Sequence, residues 1–144
     1  MPSSSNCSCD KDIIAMAIHY YEQELAIARP GDASWKTLEL PVEDVTDDMI
    51  FYNKQFYIIT YAGVLIVCNI GDDLDSAKLT IVPIKAFGLL CSYSESSCFE
   101  EHKYLVEWLG ELVLVIRVLT DPWDDYENKE VQARKIPPST MYKR

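Results

Sequence analysis

A chain of 144 residues, of which 49% are hydrophobic, is long enough for one domain with its own core and too short for two. Its formal net charge of −10 argues against nucleic acid or an anionic membrane surface as the main partner, because both are negatively charged. The aromatic residues, 11% of the chain, fall largely within β-like runs, and no stretch shows helical periodicity over several turns, which favours a mostly β class over a helical bundle.

The N-terminal residues, MPSSSNCSCDKD, have neither the basic start nor the apolar core of a signal peptide. We therefore expect an intracellular protein, in the cytoplasm or the nucleus, in which residues 1–11 are disordered. The cysteines are odd in number and scattered, which is typical of reduced thiols. They are Cys7, Cys9, Cys68, Cys91 and Cys98. Even with His102 four residues after Cys98, they do not form two well-spaced pairs of zinc ligands, so we expect no metal and no cofactor.

Nine apolar or alternating runs, separated by turn signals, predict β-strands. In chain order the runs are 12–20, 25–28, 34–40, 49–52, 56–61, 64–70, 78–84, 102–108 and 111–119. Pro83 lacks the N–H that a sheet ladder needs, so we expect the seventh run to lie at a sheet edge or to end there. From residue 120 the pattern is lost, and we expect 120–144 to be a charged, proline-containing tail that does not pack into a sheet.

The middle of the chain, 48–70, shows this pattern most clearly. Its three runs are separated by the turn-like pair Asn53-Lys54 and by Ala62-Gly63. Gly63 suits a two-residue hairpin turn, because such turns need a positive φ that residues with a Cβ adopt at a steric cost. The segment therefore predicts an antiparallel meander.

Similar hairpins recur along the chain at a nearly constant spacing. Glu22 lies 40 residues before Ala62, and Ala62 lies 47 residues before Leu109. This spacing is within the size of a propeller blade. We therefore predict a mostly β fold in which antiparallel meanders over 12–119 form about three β-propeller-like blades, a partial propeller. Because any meander protein can contain such hairpins, a β-sandwich or a small barrel is the alternative.

Three blocks of the sequence carry a resemblance to a known family. They are LAIARPGDASW (25–35), Glu43-Asp44 followed by IFYNKQFYIITYA (50–62), and KYLVEWLGELVL (103–114). With these blocks in this order, the chain resembles the plant F-box proteins with a KIB-type β-propeller, a region long catalogued as a plant domain of unknown function. The resemblance implies that the matching residues are structural. They are Arg29, Pro30, Gly31, Asp32 and Trp35, then Phe56, Tyr57 and Gly63, then Tyr104, Leu105, Val106, Gly110, Glu111 and Leu112.

The family implies a function as well as a fold. Its full members place an F-box, which docks onto the Skp adaptor of a cullin-RING ubiquitin ligase, before a propeller presumed to choose the substrate. The resemblance therefore implies a non-catalytic protein-interaction module with an unidentified protein partner, for which Trp35 and Trp123 are candidate anchors. No F-box helices precede Ile13, and DPWDDYENKE replaces the family's strands after the last hairpin. We therefore expect a truncated or divergent member that does not itself dock onto the adaptor.

The competing interpretations are a small enzyme and an oligomerising β-domain of unknown activity. For catalysis the chain offers only His19 and His102 as histidines and no serine in a G-x-S-x-G elbow. The acidic pairs at 72–73 and 124–125 lack the ligand spacing of a calcium loop and suit solvated loops. We therefore predict that the protein is not an enzyme. Oligomerisation remains open, because unclosed blades would expose strand edges that pair with another chain.

Overall fold

The structure, a computed structural model, describes residues 13–19, 24–83, 100–119 and 131–136. These residues form ten strands in three antiparallel sheets. The first sheet contains β1 (Ala15–His19), β2 (Glu24–Ala28) and β3 (Lys36–Leu38); the second contains β4 (Thr46–Tyr52), β5 (Gln55–Thr60), β6 (Leu65–Asn69) and β7 (Lys78–Ile81); the third contains β8 (Glu100–Trp108), β9 (Glu111–Leu119) and β10 (Val131–Lys135). Strands adjacent in the chain are adjacent in each sheet, which confirms the prediction of a mostly β fold with three blade-like meanders.

Nine of the strands coincide with the nine predicted runs, with different bounds. The largest differences at a strand start are three residues: β1 begins at Ala15 rather than at residue 12, and β4 begins at Thr46 rather than at residue 49. Asp47 and Asp48 precede the predicted run 49–52, but both belong to the strand. Pro83 follows the end of β7, which is an edge strand of the second sheet, as expected.

The tenth strand corrects the prediction that no part of 120–144 packs into a sheet. Strand β10 pairs antiparallel with β9 along its whole length. The next residue, Ile136, is only 2% exposed, and its N–H donates to the Leu112 carbonyl at 2.9 Å. The segment VQARK has little apolar alternation of its own. Its strand conformation comes from the free edge of β9, a contact that sequence pattern does not reveal. The rest of 120–144, like residues 1–11, lies outside the described residues.

The second sheet lies between the other two and buries both of its faces. Successive side chains of β5 alternate, so that Ile58 packs towards the first sheet while Tyr57 and Ile59 pack towards the third. The core between the first and second sheets consists of Met16, Leu25, Ile27, Leu38, Phe56, Ile58, Ile66, Cys68 and Leu74. The core between the second and third sheets consists of Tyr57, Ile59, Leu65, Val82, Leu105, Leu112, Leu114, Ile116 and Ile136. The sheets therefore stack face to face, as neighbouring propeller blades do.

Two hairpins turn on pairs of residues that both have positive φ. Asn53 (φ 47°) and Lys54 (φ 64°) join β4 to β5, and Leu109 (φ 52°) and Gly110 (φ 77°) join β8 to β9. These signs are those of type I′ turns, whose twist matches that of the flanking strands.

The turn after β5 differs from the predicted two-residue turn. The Thr60 N–H donates to the Val64 carbonyl at 3.0 Å, so three residues, 61–63, form the loop. Gly63 has φ 88°, and its N–H donates to the Thr60 carbonyl at 2.9 Å. The positive φ at Gly63 agrees with the prediction. Gly63, however, is the third residue of the loop and follows the tight turn, whereas the prediction placed it within a two-residue turn.

Candidate functional site at the turn end of the blades

The turns of all three sheets meet at one end of the stack, which we call the turn end. It comprises the turns at 29–32, 53–54 and 109–110 and the acidic loop 70–77. The Tyr52 hydroxyl donates to the Gly110 carbonyl at 2.7 Å and so joins the turn of the second sheet to that of the third. Within the second sheet, Gln55 Nε2 donates to Asn69 Oδ1 at 2.6 Å. The turn end is therefore one continuous surface.

The Arg29-Pro30-Gly31-Asp32 motif forms the turn after β2. Gly31 has φ 91° and follows a proline, which are the residue types that a type II turn requires at its two central positions. The Asp32 N–H donates to the Arg29 carbonyl at 3.1 Å, and the Asp32 carboxylate accepts the Arg29 N–H at 2.7 Å. These contacts give four of the predicted motif residues a role in chain reversal.

Two basic side chains of the first sheet reach the acidic loop of the second. Arg29 Nη1 donates to the Asp72 carbonyl at 3.2 Å, and Lys36 Nζ lies 3.0 Å from both the Leu74 carbonyl and the Asp75 carboxylate. The Asp73 carboxylate accepts the Asp75 N–H at 3.1 Å and caps the short 3-10 turn at Leu74–Ser76. The acidic loop is thus held by structural contacts.

A cleft of about 1060 Å³ opens between the first and second sheets at the turn end. Among the described residues, its apolar lining is Ile13, Ile14, Phe51, Phe56 and Ile70, and its charged lining is Arg29, Lys54 and Asp72. Phe51 is 58% exposed, and its ring packs against that of Phe56 with 4.9 Å between centroids and a tilt of 59° between the ring planes. Arg29 Nε is buried and has no hydrogen-bond partner within the described structure. The cleft combines an exposed aromatic ring with two cations and one carboxylate. Such a lining suits a ligand that presents an apolar group beside an acidic one.

A second polar cluster joins the second and third sheets. Strand β4 contains a bulge between Thr46 and Asp48, where Asp47 is the extra residue. A bulge changes the direction of the side chains beside it, and here the carboxylates of Asp47 and Asp48 both point towards β8. Asp47 Oδ2 accepts the Lys103 N–H and Asp48 Oδ2 accepts the Leu105 N–H, each at 2.7 Å. These carboxylates satisfy N–H groups on the free edge of β8, so this part of the edge is closed to strand addition.

The Lys103 side chain is buried at the same junction. Its Nζ donates to the Tyr61 carbonyl at 2.6 Å and lies 3.4 Å from the Glu101 carboxylate, which is also buried. It also lies 5.1 Å from the centroid of the Tyr61 ring. A buried ammonium group needs such partners, because desolvation without them is costly. We assign this cluster to the packing of the two sheets.

The remaining motif residues divide between the cores and the surface. Phe56, Tyr57, Leu105 and Leu112 are buried in the two cores, and Gly63 and Gly110 lie in turns. Trp35, Tyr104 and Val106 are exposed. Glu111 pairs with Lys135 of β10. Trp123 lies outside the described residues.

Of the described residues considered for catalysis or metal binding, Asp72 lines the cleft, whereas His19, His102 and Cys68 do not. His19 is exposed at the end of β1, and His102 Nδ1 lies 3.9 Å from the Asp47 carboxylate at the junction of the second and third sheets. Burial raises the pKa of the Cys68 thiol to about 11, which keeps it protonated at neutral pH. No group of three or more potential metal ligands is found within the described ranges, and Cys7, Cys9, Cys91 and Cys98 lie outside them.

The sequence prediction did not identify Phe51 or Lys54 as cleft residues, nor Asp47, Asp48 and Lys103 as a junction. The run MIFY gave no signal for the cleft, because the exposure of Phe51 is seen only once its strand is packed against the first sheet. The junction had no usable signal, because a bulge depends on pairing with another strand.

Within the described part of the chain, no helix is long and apolar enough to cross a membrane. A family model described as KIB1-4 beta-propeller matches residues 2–142. The match thus includes all three sheets and the segments between them. No curated protein and no solved structure matches the chain.

Proposed function

The chain belongs to the KIB1-4 β-propeller family, and we propose that it acts as a non-catalytic protein-interaction module of the kind that selects substrates in F-box proteins. The cleft at the turn end is the proposed recognition site. Its occupant would be an extended segment of a partner protein in which an apolar side chain stands beside an acidic one. We further propose that the protein acts inside the cell, with a protein rather than nucleic acid or a membrane as its partner.

The observation that supports this proposal is the exposed ring of Phe51 at the mouth of an apolar cleft. Aromatic anchors in such positions supply much of the binding free energy at protein interfaces. Arg29 and Lys54 line the same cleft as the ring. Their positive charges would attract a carboxylate of the partner, since guanidinium and ammonium groups donate charge-assisted hydrogen bonds to carboxylates.

The lining of the cleft supports binding over catalysis. None of its described residues is a serine, cysteine or histidine, so they contain no Ser–His or Cys–His pair.

The proposal is tested by selecting binders to the full chain from a library of short random peptides. We expect enriched peptides to combine an apolar residue with Asp or Glu, and F51A to weaken their binding by about tenfold or more, which corresponds to about 1.4 kcal/mol. The matched control is I81A, because Ile81 is 44% exposed on β7 and does not line the cleft. Equal binding by wild type and F51A would refute the assignment of the cleft.

The link to a ubiquitin ligase has its own test. The described residues contain no α-helix of the kind with which an F-box docks. We therefore expect a purified Skp adaptor not to co-precipitate with the 144-residue chain. Robust retention of the adaptor would show that docking needs no separate F-box and would overturn this expectation.

A further inference from the structure

The cleft is the open end of the core between the first and second sheets. Phe56 of β5 lies in the cleft, and Ile58, two residues further along the same face, lies deeper in the core. On the first sheet, Ile14 lies in the cleft and Met16 in the same core. The floor of the cleft is therefore apolar. The charged residues of its described lining belong to the turns and the loop around this floor: Arg29, Lys54 and Asp72.

Arg29, one of the two cations, is engaged by the chain itself. Its Nη1 donates to the Asp72 carbonyl at 3.2 Å. At the same turn, the Asp32 carboxylate accepts the Arg29 N–H at 2.7 Å. A partner carboxylate at Arg29 would therefore approach two acidic residues of the chain, and their repulsion offsets the attraction of the guanidinium group.

Lys54, the other cation, has no such engagement. It is exposed, and its ammonium group makes no hydrogen bond or ion pair with the described residues. The turn between β4 and β5 holds its backbone at φ 64°. Of the two cations, Lys54 is thus the one whose charge is available to a ligand.

Lys54 also lies next to the aromatic part of the cleft. The pair Tyr52–Gln55 closes the turn, and the next pair along the two strands is Phe51–Phe56. The two phenylalanine rings pack against each other, and Phe51 is exposed. A short segment can therefore place an apolar side chain against these rings and an adjacent charged group at the turn.

We propose that Lys54 selects the acidic group of the partner, whose carboxylate lies over the 53–54 turn while the neighbouring apolar side chain lies against Phe51 and Phe56. This inference rests on the proposed function and adds to it which cation determines the charge preference. An exposed ammonium–carboxylate pair contributes little free energy, whereas an aromatic anchor contributes much. Phe51 therefore determines whether a segment binds, and Lys54 determines which segments are preferred.

Pairs of peptides test the proposal on the full chain. A peptide selected on the wild type is compared with its amide analogue, in which Asn replaces Asp or Gln replaces Glu, and both are titrated against wild type, K54N and K54E. Asn tolerates a positive φ, so K54N removes the charge without straining the turn. We expect the wild type to bind the acidic peptide about two- to fivefold more tightly than the analogue, the range of an exposed ion pair. K54N should bind the two equally, and K54E should prefer the analogue.

The matched control is K78N, because Lys78 is exposed on β7 and does not line the cleft. It loses the same charge and should keep the wild-type preference. An acidic preference that survives in both K54N and K54E would overturn the proposal, as would a wild type that binds both peptides equally. A preference lost in K78N as well would overturn it too, because the effect would then be one of net charge. None of these results refutes the proposed function, which F51A tests separately through its loss of affinity for both peptides.

Discussion

Single side chains connect the sheets through contacts that their chemistry explains but that the sequence pattern does not reveal. Asp48 resembles any solvated acidic residue in the sequence, yet its carboxylate accepts a backbone N–H of the neighbouring sheet at 2.7 Å. Cys68 lies in an apolar run and is buried in the first core, where its thiol packs as a small apolar side chain.

The Asp48 contact predicts a measurable loss of stability. D48A leaves the Leu105 N–H without its acceptor, so we expect the free energy of unfolding to fall by about 1–3 kcal/mol. D48N keeps an acceptor oxygen and should cost less. The control is E39A, because Glu39 is exposed and such a change is expected within about 0.5 kcal/mol. Denaturant unfolding measures all three, and equal stability of D48A and E39A would show that the contact contributes little.

Cys68 predicts a pH dependence of stability. Burial raises the pKa of its thiol from 9.0 to about 11. The folded state therefore holds the proton more tightly than the unfolded state, and this contribution is present below pH 9 and is lost as pH rises to about 11. Wild type should lose up to about 2–3 kcal/mol more than C68A over this window. Parallel curves for the two proteins, measured by denaturant unfolding, would refute the prediction.

At the scale of elements, most strands could be predicted from sequence, and the reasons for the failures are physical. Strands β5 and β6 carry dense β-branched and aromatic runs, so local pattern was sufficient. Strand β10 is polar and depends on the edge of β9, and the start of β4 depends on a bulge. Both are properties of pairing, which a single strand's pattern does not encode. The cleft required the same non-local information, because its lining comes from two sheets.

The tenth strand predicts that Ile136 is a core residue. Because Ile136 is buried against the second core, I136A should lower the free energy of unfolding by about 2–4 kcal/mol. The control is the exposed Ala133 of β10, whose replacement by serine should have little effect. If denaturant unfolding shows that I136A changes the free energy of unfolding by less than about 0.5 kcal/mol, Ile136 is not packed in the core and the prediction is wrong.

The β8–β9 turn predicts a gain in stability. Leu109 is 87% exposed and has φ 52°, a conformation that strains most residues with a Cβ. Asn tolerates it, and Asn-Gly is the preferred pair for a type I′ turn, so L109N should raise the free energy of unfolding by about 0.5–1 kcal/mol. L109A removes the same apolar surface and keeps the strain, so it is the matched control. If thermal unfolding shows equal gains for both, the strain is not the cause.

At the scale of the whole molecule, the stacking of the three sheets determines which surfaces are available for the proposed recognition of a partner. The faces between sheets are buried in two cores, so the stack offers its turn end and its two outer faces to other molecules. The turn end has the cleft. The family membership fits this division, because a propeller uses blade faces for packing and blade ends for binding.

The central claim, that the turn-end cleft binds protein, is tested most directly by mapping a selected peptide onto the chain with backbone NMR shifts. We predict that the shifts of Lys54, Phe56, Ile70 and Gly71 change on titration, and that those of β8 and β9 in the third sheet do not. Perturbations confined to the third sheet, with the cleft residues unchanged, would contradict the claim.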